Sequence, residues 1–265
     1  MTKRRNFVIL ASTAVGAVAL MSTGLFSTTV RSAFGAQSIL PSEWDPLASD
    51  SVTIAYAGRD FTINGSKPWS FTSPDDNILR FEVRKGDRFS SLTYTDAVGV
   101  ERSEIGDVAR YPVSDDVSIE YSFMVEPGPK NTARWLTMGQ LHSGMNMSPP
   151  VEIKLNGDDK IKISGNSGLG DINSAVYKDL YQDEADLKRG HWYKLKMNIT
   201  LGPAEKGRAQ IWRDGVKIVD YKGPLGYTNQ KVSYWKQGVY RSTAPETMAV
   251  DFKDLVIKTG RGAID

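Results

Sequence analysis

Short stretches in which apolar and polar residues alternate recur along the chain from Ser51 onward, and turn residues separate them. One of them, Leu79–Arg84, alternates apolar with charged side chains and ends at a glycine-containing turn. Another, Val151–Leu155, runs into Asn156-Gly157, a dipeptide that favours a tight hairpin turn. Because a strand points successive side chains to opposite faces, this period of two predicts strands with one buried face.

The same alternation extends over nearly the whole chain and predicts an all-β protein. The turn spacing is typical of a sandwich of antiparallel sheets folded as one domain. One stretch, Ala175–Leu187, departs from the pattern, and we expect a short helix there. The further predicted strands are Val52–Tyr56, Val117–Val125, a strand with Ile161 and Ile163, Tyr193–Ile199, the hairpin of Ala209–Trp212 with Val216–Val219, and the closing segment Val250–Ile257.

The first 36 residues have a different composition from the rest. Three basic residues, Lys3 to Arg5, precede the uncharged stretch Val8–Met21, and small residues follow near Ala36. This is the layout of a secretory signal peptide, and an apolar run of about 14 residues is shorter than the ~20 that span a bilayer. A membrane anchor is the alternative. The segment from Arg4 to Val8 also resembles the twin-arginine export signal.

We therefore expect a signal peptide of twin-arginine type over residues 1–36 and one folded domain over residues 37–265. The protein would be periplasmic or secreted by a bacterium, with no membrane association after cleavage. The four basic residues of the signal segment account for the positive net charge, since the remainder has 29 basic and 31 acidic residues. A body so close to neutral argues against nucleic-acid binding.

Cysteine and histidine counts exclude several kinds of site. The chain has no cysteine, which rules out disulfides, thiolate metal sites and a cysteine nucleophile. It has two histidines, His142 and His191, which are too few for a three-histidine zinc site. We expect His191, in a Gly-His-Trp turn, to be structural.

One polar segment contains Gln140 and His142. The two residues are two positions apart, so a strand directs both side chains to the same face. That face would be either an ordinary exposed polar surface or part of a site.

A second polar segment runs from Tyr234 to Tyr240. Tyr234, Lys236, Gly238 and Tyr240 alternate with core-type residues and would share one face. An ammonium near a phenol lowers the pKa of the tyrosine, and a glycine lets a ligand approach the strand closely. The alternative is a partly buried tyrosine face beside a lysine whose ammonium reaches solvent.

Two further segments carry arginine. Arg80, Glu82 and Arg84 alternate along one predicted strand, and Arg102 and Glu104 lie on the next. The first set could equally be a surface ladder of ion pairs, which contributes little to stability.

The combined residue types fit one reaction better than others. No conspicuous acidic pair serves glycoside hydrolysis, and no G-x-S-x-G elbow is present. Arginine and glutamine can neutralise the carboxylate of a uronic acid, which acidifies its C5 proton. A tyrosine or a neutral histidine can then remove that proton, and a tyrosine can protonate the leaving glycosidic oxygen.

The motifs resemble those of a known family. Gln140-Leu141-His142 resembles the Q-I-H motif of β-jelly-roll alginate lyases, and Tyr234–Tyr240 resembles their Y-F-K-A-G-V-Y motif. Arg102–Ile105 resembles their R-S-E-L-R strand, except that Gly106 stands where the last arginine would be. The motifs follow the family's order over roughly residues 51–258. The wider layout is similar to that of glucuronan lyases and heparin-lyase-I-like enzymes.

This resemblance implies a concanavalin-like β-jelly-roll sandwich with a concave cleft. It implies an endo-acting lyase that cleaves an anionic uronate polysaccharide and leaves 4,5-unsaturated ends. Tyr240 would transfer the proton, Gln140 and Arg102 would neutralise the carboxylate, and His142 would assist them or act as the base. Lys236 would bind the chain or tune Tyr240. The other residues predicted to bind substrate are Tyr234, Arg80, Arg84 and Glu104.

We expect no cofactor and a monomer whose partner is an acidic polysaccharide. Some relatives carry calcium, but Asp158-Asp159 beside a hairpin turn does not justify assigning a metal site. The competing functions are a non-catalytic, lectin-like binding module and a glucanase-type glycoside hydrolase on the same architecture.

Overall fold

The computed structural model describes residues 52–75 and 77–264, so the predicted signal peptide lies outside the described residues. Among the described residues no helix has the length and apolar character needed to span a membrane. The described part of the chain forms sixteen strands and one short 3₁₀ helix, Ile172–Ser174. The strands are β1 Val52–Tyr56, β2 Arg59–Asn64, β3 Phe71–Asp75, β4 Ile78–Val83, β5 Val100–Asp107, β6 Tyr111–Pro112, β7 Asp116–Val125, β8 Leu136–His142, β9 Val151–Leu155, β10 Ile161–Gly168, β11 Val176–Gln182, β12 Tyr193–Thr200, β13 Gly202–Arg213, β14 Val216–Tyr227, β15 Val232–Ser242 and β16 Met248–Thr259.

The strands form two antiparallel layers. Sheet A has the order β1-β2-β5-β15-β8-β9-β10-β11, and sheet B has the order β3-β4-β16-β7-β12-β13-β14. A short parallel pairing of Ser167–Gly168 with Gly226–Tyr227 joins β10 to β14 and links the two sheets at one edge. The all-β jelly-roll prediction is confirmed, with this parallel contact as an addition to the expected antiparallel pattern.

The apolar faces of the two sheets pack against each other. The ring of Tyr121 on β7 lies 5.6 Å from that of Trp235 on β15, so the layers are in direct contact. Trp235 and Val239 are fully buried, as the alternation in β15 predicts. Their neighbours Tyr234 and Tyr240 point away from the core and remain partly accessible.

The expected helix over Ala175–Leu187 is wrong. Val176–Gln182 forms strand β11, which pairs antiparallel with β10. The segment is rich in β-branched and aromatic residues, and the open edge of β10 supplies backbone hydrogen-bond partners. Tertiary pairing of this kind outweighs a weak helix propensity.

A bulge interrupts the pairing of β15 with β8, between Gln237 and Tyr240 on one strand and Thr137 and Gly139 on the other. Gly238 has φ +140°, and a Cβ there would lie 2.2 Å from the carbonyl oxygen of Ser103. The close approach that requires glycine here is therefore to the backbone of β5. The approach of a ligand at Gly238 stays a prediction. Bulges of this kind re-aim the side chains that follow them, here Tyr240.

Candidate active site

The three polar motifs lie on adjacent strands of sheet A, with β15 between β5 and β8. Their side chains share the outer face, because the alternate residues fill the core between the sheets. The sequence order alone could not guarantee this adjacency. The paired positions are Arg102 with Tyr240, Glu104 with Gly238, Gln140 with Lys236, and His142 with Tyr234.

Glu104 lies at the centre of the cluster and is 1% exposed. Its Oε2 accepts hydrogen bonds from Lys236 Nζ at 2.6 Å and from Arg102 Nη1 at 2.8 Å. Its Oε1 accepts from Gln140 Nε2 at 2.6 Å. Burial acts to raise the pKa of this carboxyl, but the charges of Lys236 and Arg102 outweigh it and hold the pKa below its usual range. The predicted contact of Glu104 with substrate is wrong, because its carboxylate is enclosed and instead positions three donors.

Asp96 completes this cluster, although no sequence motif indicated it. Arg102 donates from Nη2 to Asp96 Oδ1 at 2.7 Å and from Nε to Oδ2 at 2.9 Å. The Tyr94 hydroxyl donates to Asp96 Oδ1 at 3.0 Å. Asp96 is buried in the segment between β4 and β5, where its sequence looks like an ordinary turn. Two carboxylates therefore balance the charges of Arg102 and Lys236.

Tyr240 is half-buried beside this cluster. The guanidinium carbon of Arg102 lies 3.9 Å from the centre of its ring, and Trp135 meets the ring edge-on at 4.8 Å. Burial raises the pKa of Tyr240 to about 12, although Arg102 acts to lower it. The predicted effect of an arginine is therefore present in Arg102, but the predicted net lowering is wrong because burial outweighs it. Lys236 is bound to Glu104 and lies 5.9 Å from the ring.

The outward-facing side chains along β15 and its neighbours form a row with Tyr240 at one end. His142 lies at the other end of this row, with its ring 5.0 Å from that of Tyr234. Its Nδ1 accepts a hydrogen bond from the Gly144 N–H at 3.0 Å, which leaves the proton of a neutral imidazole on Nε2. Burial lowers the pKa of His142 to about 4, and the positive charges of Lys236 and Arg102 act in the same direction. The imidazole is therefore neutral at neutral pH and can donate a hydrogen bond.

A cavity of about 410 Å³ opens at this end of the row. Its wall includes Arg102, Lys236, His142 and Tyr234 but does not include Tyr240 or Gln140 among the described residues. The backbone positions of Tyr234 and Tyr240 are six residues apart on β15, roughly 20 Å in an extended strand, while the Arg102 side chain reaches both the Tyr240 ring and this cavity. The candidate site is therefore elongated along β15.

Arg80 and Arg84 do not join this site. Arg80 lies on β4 in sheet B and Arg84 directly follows that strand, and Glu82 pairs with each of them at 2.6 Å. Arg80 also binds Glu126, and Arg84 lies over Trp69. Their predicted place in the substrate groove is wrong, because β4 lies in the opposite sheet, and the alternative of a surface ion-pair ladder describes them.

Two other sequence features lie away from the site. His191 is exposed two residues before β12 and packs edge-on against Tyr193, the first residue of that strand. Asp159 pairs with Arg189. Within residues 52–75 and 77–264 no group of three or more His, Asp or Glu side chains is placed to hold a metal ion.

Several solved structures share this fold. An endo-β-1,4-glucuronan lyase from the fungus Trichoderma reesei is 12% identical with a TM-score of 0.56, over 83% of this chain and 92% of that one. A family 7 alginate lyase is 16% identical with a TM-score of 0.52, over 73% and 84% of the two chains. The alginate lyase from Corynebacterium sp. is 15% identical with a TM-score of 0.51, over 73% and 82%. At such low identity these likenesses establish the fold alone.

No curated protein sequence matches the chain. A sequence model described as polysaccharide lyase does match, over residues 42–254. That span is most of the chain and includes all three motifs on β5, β8 and β15. The chain therefore belongs to the polysaccharide lyase family and is an enzyme of that class.

Proposed function

We propose that this lyase cleaves an anionic uronate polysaccharide internally, by β-elimination, and leaves 4,5-unsaturated uronate ends. The observation that carries the proposal is the phenol of Tyr240 against the Arg102 guanidinium, on the same open face as Gln140 and His142. The structural neighbours include lyases of alginate and of glucuronan, both of which are uronic-acid polymers.

Hydrogen-bond donors would neutralise the carboxylate of the reacting sugar. Arg102 uses three of its five N–H groups on Asp96 and Glu104, so two remain. Gln140 keeps one amide hydrogen beyond the one given to Glu104, and His142 offers Nε2–H. Donors held in fixed positions stabilise the negative charge that develops on the carboxylate as the C5 proton leaves.

Tyr240 would move the proton. As a phenolate it takes the proton from C5, the C–H electron pair forms the C4–C5 double bond, and the C4–O bond breaks. The resulting phenol then returns the proton to the leaving glycosidic oxygen, so no net proton is consumed. We assign the base to Tyr240 because the Nδ1 lone pair of His142 is already occupied by Gly144. Since the pKa of Tyr240 is about 12, kcat should rise with pH across the neutral and mildly alkaline range.

Internal cleavage is supported by the shape of the site. The backbone positions from Tyr234 to Tyr240 span roughly 20 Å along β15, and the cavity lies beside them. A row of this length can hold several sugars of a polymer on both sides of the reacting bond.

We also propose that the enzyme acts outside the cytoplasm, as residues 1–36 suggest. Cell fractionation should recover activity from the periplasm or medium, and replacing Arg4 and Arg5 by lysine should retain it in the cytoplasm. Unchanged export of that variant would argue against a twin-arginine signal.

The test is an ultraviolet assay of the 4,5 double bond on purified glucuronan, alginate, heparin-like chains and bacterial exopolysaccharides. Tyr240→Phe should lower kcat on the cleaved polymer by about 1000-fold, because the proton-transferring group is lost. Tyr234→Phe is the matched control on the same strand face and should lower it by less than about tenfold. Circular dichroism would verify that both variants fold.

Each contrary result has a distinct meaning. No absorbance change with any uronate polymer at several pH values would refute the proposed reaction. Reducing ends without a double bond would indicate a hydrolase, and binding without product would indicate a lectin-like module. An active Tyr240→Phe enzyme beside an inactive Tyr234→Phe enzyme would transfer the proton-moving role to Tyr234.

A further inference from the structure

Gly106 forms part of the cavity wall. This residue shares the outward face of β5 with Arg102 and Glu104, and it stands where the R-S-E-L-R motif would place its last arginine. A Cβ at Gly106 would meet Lys236 and Tyr234 at 3.6 Å, which is ordinary contact. A small side chain would therefore fit at this position, in contact with Lys236 and Tyr234.

Arg110, four residues further along the chain, reaches the same cavity from the segment between β5 and β6. Its guanidinium carbon lies 4.0 Å from the centre of the Tyr234 ring. Such stacking holds the guanidinium plane against the aromatic face and leaves its N–H edge accessible. The cavity thus has an arginine at this end despite the glycine in the motif.

The chain around Arg110 holds the guanidinium in place. Its Nη1 donates to the main-chain carbonyls of Asp107 at 2.5 Å, Val108 at 2.9 Å and Ala109 at 3.2 Å. The carboxylate of Asp107 is occupied elsewhere, by Arg59 Nε at 2.6 Å and by the Tyr111 hydroxyl. The Nε and Nη2 groups of Arg110 remain for a ligand, and together they match the two oxygens of a carboxylate.

The charge of Arg110 is not balanced by an acidic partner. All hydrogen bonds that it makes to described residues go to carbonyl oxygens, and none of the ion pairs among those residues includes it. The other two cations of the cavity wall, Arg102 and Lys236, are paired with buried carboxylates. A positively charged group with free donors in a concave pocket suits an anionic ligand.

We infer that Arg110 binds a carboxylate of the uronate chain in a subsite next to the reacting sugar, at the His142 end of the row. The inference rests on the proposed function. The subsite is separate from the reacting sugar because Arg110 lies over the ring of Tyr234, whereas the guanidinium beside Tyr240 is that of Arg102. Arg110 therefore contributes to substrate binding and to the preference for a charged polymer.

The first experiment compares Arg110→Ala and Arg110→Lys with Arg261→Ala, which removes an exposed arginine beyond the end of β16 in sheet B. On the polymer that the wild-type enzyme cleaves, Arg110→Ala should raise KM about tenfold and change kcat by less than twofold. The KM of Arg110→Lys should lie between those of the wild type and Arg110→Ala, because lysine keeps the charge but loses the paired donors. Arg261→Ala should match the wild type, and the effect of Arg110→Ala should shrink at 0.5 M salt.

The second experiment measures binding without turnover. In the Tyr240→Phe background, calorimetry compares a hexasaccharide of the cleaved polymer with the same oligosaccharide after its carboxylates are reduced to alcohols. Adding Arg110→Ala should weaken binding of the charged form about tenfold and leave that of the reduced form unchanged.

The outcomes separate this inference from the proposed function. An active wild-type enzyme whose Arg110→Ala and Arg261→Ala variants have equal KM would overturn the role of Arg110 and leave the reaction intact. Equal weakening of the charged and reduced oligosaccharides would also overturn it. No double-bond formation by the wild-type enzyme on any uronate polymer would refute the proposed function itself.

Discussion

Arg102 and Arg110 lie eight residues apart in the sequence and both line the same cavity, yet their surroundings differ completely. Arg102 is 8% exposed and bound by the carboxylates of Asp96 and Glu104. Arg110 is exposed, and its hydrogen bonds go only to neutral carbonyl groups. Each guanidinium lies about 4 Å from the centre of a tyrosine ring, so the stacking is the same and the electrostatics are not.

The difference teaches how one residue type serves two purposes. A buried guanidinium needs counter-charges, because removing an unpaired charge from water is strongly unfavourable. Those counter-charges leave little net charge to offer a substrate, so Arg102 contributes a fixed shape and directed donors beside Tyr240. An exposed guanidinium needs no counter-charge, and its charge remains available to attract an anion.

The largest expected effect is the difference in the free energy of unfolding between the Arg102→Ala and Arg110→Ala variants. Arg102→Ala leaves two buried carboxylates with Lys236 as their remaining cation and should lower the free energy of unfolding by about 3–5 kcal/mol. Arg110→Ala breaks no ion pair and should change it by less than about 0.5 kcal/mol. Urea unfolding of both variants measures this contrast. Equal destabilisation by the two variants would mean that Arg102 and Arg110 do not differ in their ion pairing.

A smaller effect on stability is expected at the bulge in β15 between Gln237 and Tyr240. Gly238→Ala places a Cβ 2.2 Å from the Ser103 oxygen at φ +140° and should destabilise the fold by about 2–3 kcal/mol. It should also lower kcat, because the bulge aims Tyr240. Gly106→Ala is the matched glycine control on β5, where the nearest atoms are 3.6 Å away, and should change stability by less than about 1 kcal/mol. A Gly238→Ala protein as stable as Gly106→Ala would disprove the backbone explanation for this glycine.

The smallest effect concerns pH at the His142 end. The folded-state pKa of His142 is about 4 and its unfolded value about 6.5, so protons bind the unfolded chain first as pH falls. Stability should therefore be lost between pH 6.5 and pH 4, by about 1–2 kcal/mol for this half-buried ring. Relative to the wild type, His142→Gln should lose less stability between pH 7 and pH 4.5.

The control for this measurement is His191→Gln, which makes the same substitution at an exposed histidine just before β12 in the other sheet. Unfolding free energies at the two pH values give the comparison directly. An identical loss in His142→Gln and the wild type would show that the acid sensitivity originates elsewhere.

The polar motifs could be predicted from the sequence because their spacing has a local meaning. Residues two positions apart on a strand share a face, which put Gln140 beside His142 and Lys236 between two tyrosines. The same rule predicted that Arg80 and Arg84 share a face, and they do. It could not say which sheet that face belongs to, and the assignment of these two arginines to the groove failed for this reason.

Other site residues carried no sequence signal. Asp96 and Arg110 lie in connecting segments, whose paths depend on distant contacts rather than on a local period. Trp135, which packs against Tyr240, directly precedes a strand and reads as an ordinary apolar residue. The motifs that resemble those of known lyases do not include these positions.

Alternation of polar and apolar residues, by itself, determined that this chain forms strands with one buried face, because the period of a strand is a property of the backbone. It also determined which side chains on β8 and on β15 point to the same outer face of the sheet. Only the tertiary structure decided that β15 lies between β5 and β8, that two carboxylates enclose Arg102, and that Arg110 is left unpaired beside a cavity. Charge balance depends on which groups come within a few ångströms of each other, and that is settled by strand pairing and loop paths over the whole chain.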